Sequence, residues 1–444
     1  MDATSLWLAW EQTAAVAPAA ASVIEARDGT AHTREELTAG ALALAGGAPG
    51  TLAAGQVVAF AQGNGWRWLA RFLALQKLGV VALPLDASLP PGRWPDAARE
   101  LGAHWLWLPG GTWHELPGTS PCWTGDFCLL KTTSGTSGQP RALAFTSDNM
   151  LADGRQITAT MQIGPDDRNL GAIPFGHSYG LGNLVLPLIA QGTAVVASEE
   201  ILPGALAAQI ERFGVTVFPS VPAVLRALAE SSVDPAALRS LRRVVSAGAP
   251  LRAEVAGAFR AKFGLPIQNF YGSSETGGIC FDRTGDATAE GRSVGQPLEG
   301  VEVQFDEAGQ VMVRSPAVVA PGQYTLPDLG AWNERGELTL TGRATPLANI
   351  GGKKVAPLEI ERLLRGLDGV TDAWVGVGSR ASGGGDFLLA AVETARTRAE
   401  VQRALAERVP AWQMPRQWWV APLLPRTPRG KLDRAELEAR CRPD

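Results

Sequence analysis

The sequence predicts an α/β protein in two parts: a large N-terminal domain of layered α/β subdomains over residues 1–343, and a small α+β C-terminal domain over 344–444. Three observations carry this. Short β-rich runs alternate with longer runs whose apolar residues recur at helical spacing, as strands and crossover helices do around largely parallel sheets. The chain has 444 residues, more than one hydrophobic core usually organises. Net charge is −8 over 1–343 and +4 over 344–444, together the −4 of the whole. A relatively basic module thus stands beside an acidic larger one, an arrangement suited to closing over an anion. Ordinary variation in surface charge gives the same count.

The elements follow in order. Residues 57–60 read as a strand, 66–78 as a helix and 79–85 as a strand. The same β character returns at 193–197, 215–218 and 243–246. In the C-terminal part, Pro357 opens a helix with Glu359 and Glu361 near its positive end. Residues 374–377 and 387–392 read as strands and 399–408 as a further helix. No internal repeat of solenoid length is visible.

Composition excludes several classes. With 45% hydrophobic and 19% charged residues, the chain fits a globular protein and not a disordered or fibrous one. A net charge of −4 gives no whole-protein attraction to nucleic acid or anionic membrane. Cys122, Cys128, Cys280 and Cys441 are scattered without a CxxC pair, which suggests neither a zinc site nor a disulfide framework. Met1-Asp2-Ala3-Thr4 opens no signal peptide, and apolar runs such as 184–190 are too short to span a bilayer. The expectation is a cytoplasmic protein with no nucleic-acid partner and no membrane span.

The strongest local feature is Thr132-Thr133-Ser134-Gly135-Thr136-Ser137-Gly138-Gln139-Pro140-Arg141, which follows the apolar run Cys128-Leu129-Leu130. Hydroxyls and glycines alternate here, so side-chain O–H and backbone N–H groups can converge on one anion, as a polyphosphate requires. No Gly-Lys-Ser/Thr ends the run, so it is not a Walker A loop. Taken alone it also reads as a polar turn.

This run resembles the phosphate loop of the acyl-adenylate-forming enzymes, which include acyl- and aryl-CoA ligases and peptide-synthetase adenylation domains. Here Ser137 stands for a Thr and Arg141 for a Lys. Further stretches resemble that family in order. Ser246-Ala247-Gly248-Ala249-Pro250 resembles the segment lining the adenine and acyl pockets. Asn269-Phe270-Tyr271-Gly272-Ser273-Ser274-Glu275-Thr276 resembles the motif whose Tyr packs on adenine, whose hydroxyl (Ser274 here) meets the α-phosphate, and whose Glu holds Mg²⁺. Asp328 and Arg343 match the ribose contacts, and Thr345 falls at the hinge, where Asp or Lys is usual. Gly351-Gly352-Lys353-Lys354 resembles the mobile loop of the small domain, and Pro425-Arg426-Thr427-Pro428-Arg429-Gly430-Lys431 the run that ends in the catalytic lysine.

The resemblance implies a reaction: ATP-dependent activation of an aryl or fatty carboxylic acid to acyl-AMP, with transfer to CoA or to a phosphopantetheinyl acyl carrier protein. It implies Lys431, Glu275 and His177 as catalytic residues. Thr133, Ser134, Gly135, Thr136, Ser137, Gly138, Arg141, Gly248, Ala249, Pro250, Asn269, Phe270, Tyr271, Gly272, Ser274, Asp328, Arg343 and Gly352 would bind nucleotide or thiol, with Glu275 and Thr136 as metal ligands. The small domain is implied to be mobile. The departures at Arg141, Ser274 and Thr345 also admit a non-catalytic nucleotide-binding relative.

Pro174-Phe175-Gly176-His177-Ser178-Tyr179-Gly180 resembles the segment lining the acyl pocket. Amino-acid-activating members of that family place Asp near this position to pair with the α-ammonium, which an imidazole does poorly, so the resemblance argues against an amino-acid substrate. His177 reads as a gate to the acid or as a hydrogen-bonded core histidine. Trp105, Trp107, Trp113 and Trp123 precede the phosphate loop and read as packing, or as a ligand platform.

Overall fold

The computed structural model describes residues 3–117, 121–134, 140–319, 322–343, 347–379, 385–426 and 432–441. The chain divides into two compact units. One comprises Met1–Asp86, Ala98–Lys131 and Ala142–Ala344, and the other Ala87–Ala97, Thr132–Arg141 and Thr345–Asp444. Helices and sheets are layered, as the α/β expectation required. No helix among the described residues is long and apolar enough to cross a membrane.

The larger unit is organised on a nine-stranded sheet. Its strands Ile267–Ser273, Arg243–Ser246, Val217–Ser220, Arg168–Gly171, Ala194–Ala197 and Ala21–Glu25 run parallel in that order. Antiparallel strands Gly277–Phe281 and Ala31–Thr33 continue it on either side. Strands such as Ala194–Ala197 and Val217–Ser220 are buried at every position, which is why they read as unbroken apolar runs. The strand near 215 begins later than expected, because Val215 N–H closes the preceding helix on Ile210 C=O at 3.1 Å after the left-handed Gly214.

A six-stranded sheet contains Val57–Phe60, Val81–Pro84, Trp105–Trp107 and Phe127–Ser134. The helix Trp66–Lys77 follows Val57–Phe60 and is buried without a break from Trp68 to Gln76. Thr132, Thr133 and Ser134 prolong the strand Phe127–Ser134 instead of opening a loop. Two consecutive β-branched threonines favour that extension. A four-stranded antiparallel sheet, Glu302–Phe305, Gln310–Arg314, Gln323–Trp332 and Leu338–Arg343, completes the unit.

The tryptophans before the phosphate run act mainly as packing. Trp107 stacks on Trp113 at 4.4 Å, Trp105 meets Trp113 edge-on, and the Arg71 guanidinium lies 4.5 Å from the Trp107 ring centroid. Trp123 stands apart, 37% exposed beside Phe127.

In the smaller unit the hairpin Ala348–Ile350 and Lys353–Val355 leads into the helix Pro357–Arg365. A three-stranded sheet follows, of Val370–Ser379, Asp386–Thr394 and Gln417–Ala421, with the helices Arg398–Ala406 and Arg434–Cys441. Its core is Ile360, Leu364, Val375, Ala390, Val392, Val401 and Leu405.

Candidate active site

In open parallel sheets, ligands bind beyond the carboxyl ends of the strands. Here those ends deliver three of the sequence motifs. Arg168–Gly171 leads into the 174–180 segment, Arg243–Ser246 into Ala247-Gly248-Ala249-Pro250, and Ile267–Ser273 into Ser274 and Glu275.

The turn around Glu275 is internally fixed. Ser273 Oγ accepts from the backbone N–H groups of Glu275 and Thr276, both at 3.2 Å, and lies 3.0 Å from Thr276 Oγ1. The carbonyl of Glu275 accepts from Val319 N at 3.1 Å. Upstream, the Tyr271 hydroxyl donates to Asp328 Oδ2 at 2.8 Å. Asp328 is 6% exposed and sits opposite Arg343 in the antiparallel register. Tyr271, Ser274, Glu275 and Asp328 are thus brought to one region of the larger unit.

The His177 segment joins them. Ser178 Oγ donates to Ser274 Oγ at 3.0 Å. The ring of Tyr179 stacks on Phe270 at 5.9 Å, and its hydroxyl donates to Val245 C=O at 3.1 Å. Burial drives the Tyr179 phenol far above its ordinary pKa, so it is a fixed donor at neutral pH. His177 caps the short helix Ser178–Gly180, its Nδ1 accepting from Tyr179 N at 3.3 Å. A Cβ at Gly180 would lie 2.1 Å from Pro174 C=O, so only glycine allows this tight return.

Asn64 fixes the approach to His177. Its amide donates to the carbonyls of Gly171 and Ile173, both at 2.8 Å, and its Oδ1 accepts from Phe175 N at 2.8 Å. Sequence reading passed over it, although an Asn between Gly63 and Gly65 directly after a strand marks a side chain that can hold loops. Two other buried residues were also missed. Lys131 is visible as a lysine inside an apolar strand run, whereas nothing in the sequence around Asp153 signals it.

The remaining expected residues are placed as follows. Asn269 N–H is taken by Thr288 Oγ1 at 3.0 Å, and Phe270 packs in the core. Gly272 lies on the strand beside Tyr271, and Gly248 and Ala249 are half-buried before the exposed Pro250. In the smaller unit, Gly352 N–H donates to Asn349 Oδ1 at 3.0 Å. Thr133, Ser134, Arg141 and Arg343 lie on strands, and their side chains are outside the described set. Gly135, Thr136, Ser137, Gly138, Thr345 and Lys431 lie outside the described residues.

Among the described residues, no group of three or more His, Cys, Asp or Glu is placed to hold a metal by itself. Glu275 offers a single hard carboxylate on a pinned turn. That donor set fits Mg²⁺, which keeps water and substrate phosphate oxygens and takes only one or two protein carboxylates.

A sequence profile of the family described as AMP-binding enzyme matches residues 112–322. The p-hydroxybenzoic acid–AMP ligase of Mycobacterium tuberculosis is 32% identical over 394 residues, 81% of this chain and 54% of that relative. The chain therefore spans about half the length of that curated relative. A feruloyl-CoA synthase of an Amycolatopsis species is 27% identical, covering 93% of this chain and 94% of its own. In fold, the chain is similar to o-succinylbenzoate CoA synthetase of Bacillus subtilis, solved with a product analogue, at a TM-score of 0.84 and 23% identity over 98% of both chains.

Proposed function

We propose that this chain is an AMP-binding enzyme of the acyl-adenylate-forming superfamily, which activates a carboxylic acid with ATP and passes the acyl group to the thiol of CoA. The observation that carries the reading is the Tyr271–Asp328 hydrogen bond at 2.8 Å beside the Glu275 turn. It joins an aromatic face for adenine, a carboxylate for ribose hydroxyls and a carboxylate for a metal. Relatives named for p-hydroxybenzoic acid and feruloyl-CoA make aromatic acids the first to test.

A carboxylate is a poor electrophile because its leaving group would be an oxide. Attack of its oxygen on the α-phosphorus of ATP forms a C–O–P anhydride and breaks the bond to pyrophosphate. No general base is needed, since the acid is ionised at neutral pH. Two anions must meet, so positive charge is the main requirement, and such preorganised groups contribute on the order of several kcal/mol each. Lys431 is assigned that role, with the hydroxyls and N–H groups of Thr133 to Gly138 and the cation of Arg141 holding the phosphates. When bound, Mg²⁺ supplies a hard charge at the phosphate oxygens, with Glu275 and Thr136 as its protein ligands.

In the second step, sulfur forms the C–S bond as the C–O bond to AMP breaks, and the thiol proton is released. Gly352 is assigned to this half-reaction, Thr345 to the hinge between the two, and His177 to gating the acid. The protein is assigned to the cytoplasm.

Exchange of labelled pyrophosphate into ATP, dependent on an added acid, tests the reading. A panel of aromatic and aliphatic acids giving no exchange would leave a nucleotide-binding relative without catalysis. Comparison of CoA with a phosphopantetheinylated carrier protein then identifies the acceptor.

A further inference from the structure

Behind the Glu275 turn lie two buried charges that the mechanism above does not use. Lys131, on the strand leading into the phosphate run, is 4% exposed, and Asp153, on the helix Ser147–Met161, is 2% exposed. Asp153 Oδ1 accepts from the backbone N–H of Gly278 at 2.9 Å. Gly277 holds φ +70°, and a Cβ there would lie 2.3 Å from the same oxygen, so the backbone just past Glu275 is closed directly onto this carboxylate. Asp153 Oδ2 faces Gly182, where a Cβ would lie 3.2 Å away, on the helical stretch that follows His177. The Lys131 ammonium stands 4.2 Å from the centroid of the Phe145 ring.

The two charges act on each other. Burial drives the Lys131 ammonium below its ordinary pKa, and the carboxylates that oppose this are Asp153 first, then Glu275. Burial likewise drives Asp153 upward, opposed by Lys131 and by the Gly278 N–H. Apolar side chains of similar volume would fill this space without the desolvation cost of two ions. What the carboxylate adds is direction, because its Oδ1 fixes the backbone N–H of Gly278 while its Oδ2 faces Gly182, and Lys131 supplies the nearby positive charge that opposes its burial.

We propose that Lys131 and Asp153 are positioning residues that lock the backbone after Glu275 and so set where its carboxylate stands for a metal-bound nucleotide. This rests on the reading of Glu275 as a metal ligand, so the test separates the two claims. The double variant Lys131→Met/Asp153→Asn removes both charges, keeps the volumes, and retains an acceptor for Gly278 N–H. Melting and calorimetric binding of ATP, with Mg²⁺ and with chelator, are the readouts. The double variant is expected to melt near the parent and to bind metal-free ATP as the parent does. MgATP is expected to bind about tenfold more weakly, the usual effect of removing a group that orients a metal ligand. Asp153→Asn alone is expected to shift MgATP binding in the same direction. Unchanged MgATP binding in both variants overturns the proposal, as does a much lower melting point with an unchanged metal effect. Glu275→Gln is the control. If it too binds MgATP like the parent, the metal role of Glu275 is what fails. If it alone loses the metal effect, only the positioning claim is overturned.

Discussion

The phenol of Tyr271 and the carboxylate of Asp328, 57 positions apart, share a hydrogen bond of 2.8 Å. One residue lies on the strand Ile267–Ser273 of the nine-stranded sheet, the other on Gln323–Trp332 of the antiparallel sheet. The bond therefore sets the spacing between an aromatic face and a carboxylate. Tyr271→Phe keeps the ring and removes the donor. Loss of one such bond, about 1 kcal/mol, predicts a rise of about fivefold in the KM for ATP with the KM for the acid unchanged. Tyr271→Ala, which also removes the face, is expected to raise it further. Steady-state pyrophosphate exchange measures both, and equal KM values for ATP in parent and Tyr271→Phe would refute the arrangement.

What was legible in the sequence was whatever depends on short-range pattern. The parallel strands showed as apolar runs because both of their faces are covered. The Tyr271 to Glu275 stretch showed only through its resemblance to a family motif, since by itself Glu275 reads as a solvated surface acid. Asp153 was not legible, because its role is made by Gly277 and Gly278, more than a hundred positions downstream, and a single acid on a helix looks like a solvated one. Asn64 sits between: a Gly-Asn-Gly run after a strand is a loop signal that the sequence reading passed over, and the carbonyls it ties lie across the chain at Gly171 and Ile173.

The role proposed for Lys431 separates the two half-reactions. If its ammonium meets the acid and the α-phosphate, Lys431→Ala slows acyl-AMP formation by about a hundredfold, the typical effect of one removed charge-stabilising group. Thioester formation from supplied acyl-AMP is expected to stay near the parent rate. Equal losses in the two assays would contradict the assignment.

Glu337 predicts an acid limb of stability. Burial alone would raise its pKa, but hydrogen bonds from Arg292, Asn333 and Ser293 outweigh this and hold it at about 2, against 4.5 for the free group. The carboxylate closes the turn between the last two strands of the four-stranded sheet and also meets Arg292 at 3.0 Å. A folded-state pKa below the unfolded one gives stability that is full above the unfolded value and is lost as pH falls toward the folded one. Glu337→Gln should therefore melt lower than the parent at neutral pH. The gap should narrow as pH drops from about 4.5 toward about 2. Melting curves that stay parallel across that range would rule this out.

Arg426 predicts an effect that begins in the smaller unit. Its guanidinium donates to Asp372 Oδ2 at 2.9 Å and Glu393 Oε2 at 3.2 Å, and Glu393 also takes Leu424 N–H at 2.9 Å. Arg426 forms a β-bridge with Leu432, and Asp433 N–H donates to Pro425 C=O at 2.9 Å. The two ends of the run that contains Lys431 are thus held side by side by backbone contacts, and one cation and two carboxylates tie the first of them to the strands Val370–Ser379 and Asp386–Thr394. Removing the cation leaves Asp372 and Glu393 facing each other without it, and both have pKa values held below the ordinary range partly by Arg426. Arg426→Ala is expected to lower the melting point and to slow acyl-AMP formation more than thioester formation, as Lys431→Ala does but less severely. Arg426→Lys keeps the charge and loses the fork, so it should recover the melting point in part. Because the pair is partly exposed, added salt should weaken it and shrink the difference between parent and Arg426→Ala. A variant that melts lower yet loses both half-reactions equally would reduce Arg426 to a structural clamp with no bearing on the lysine.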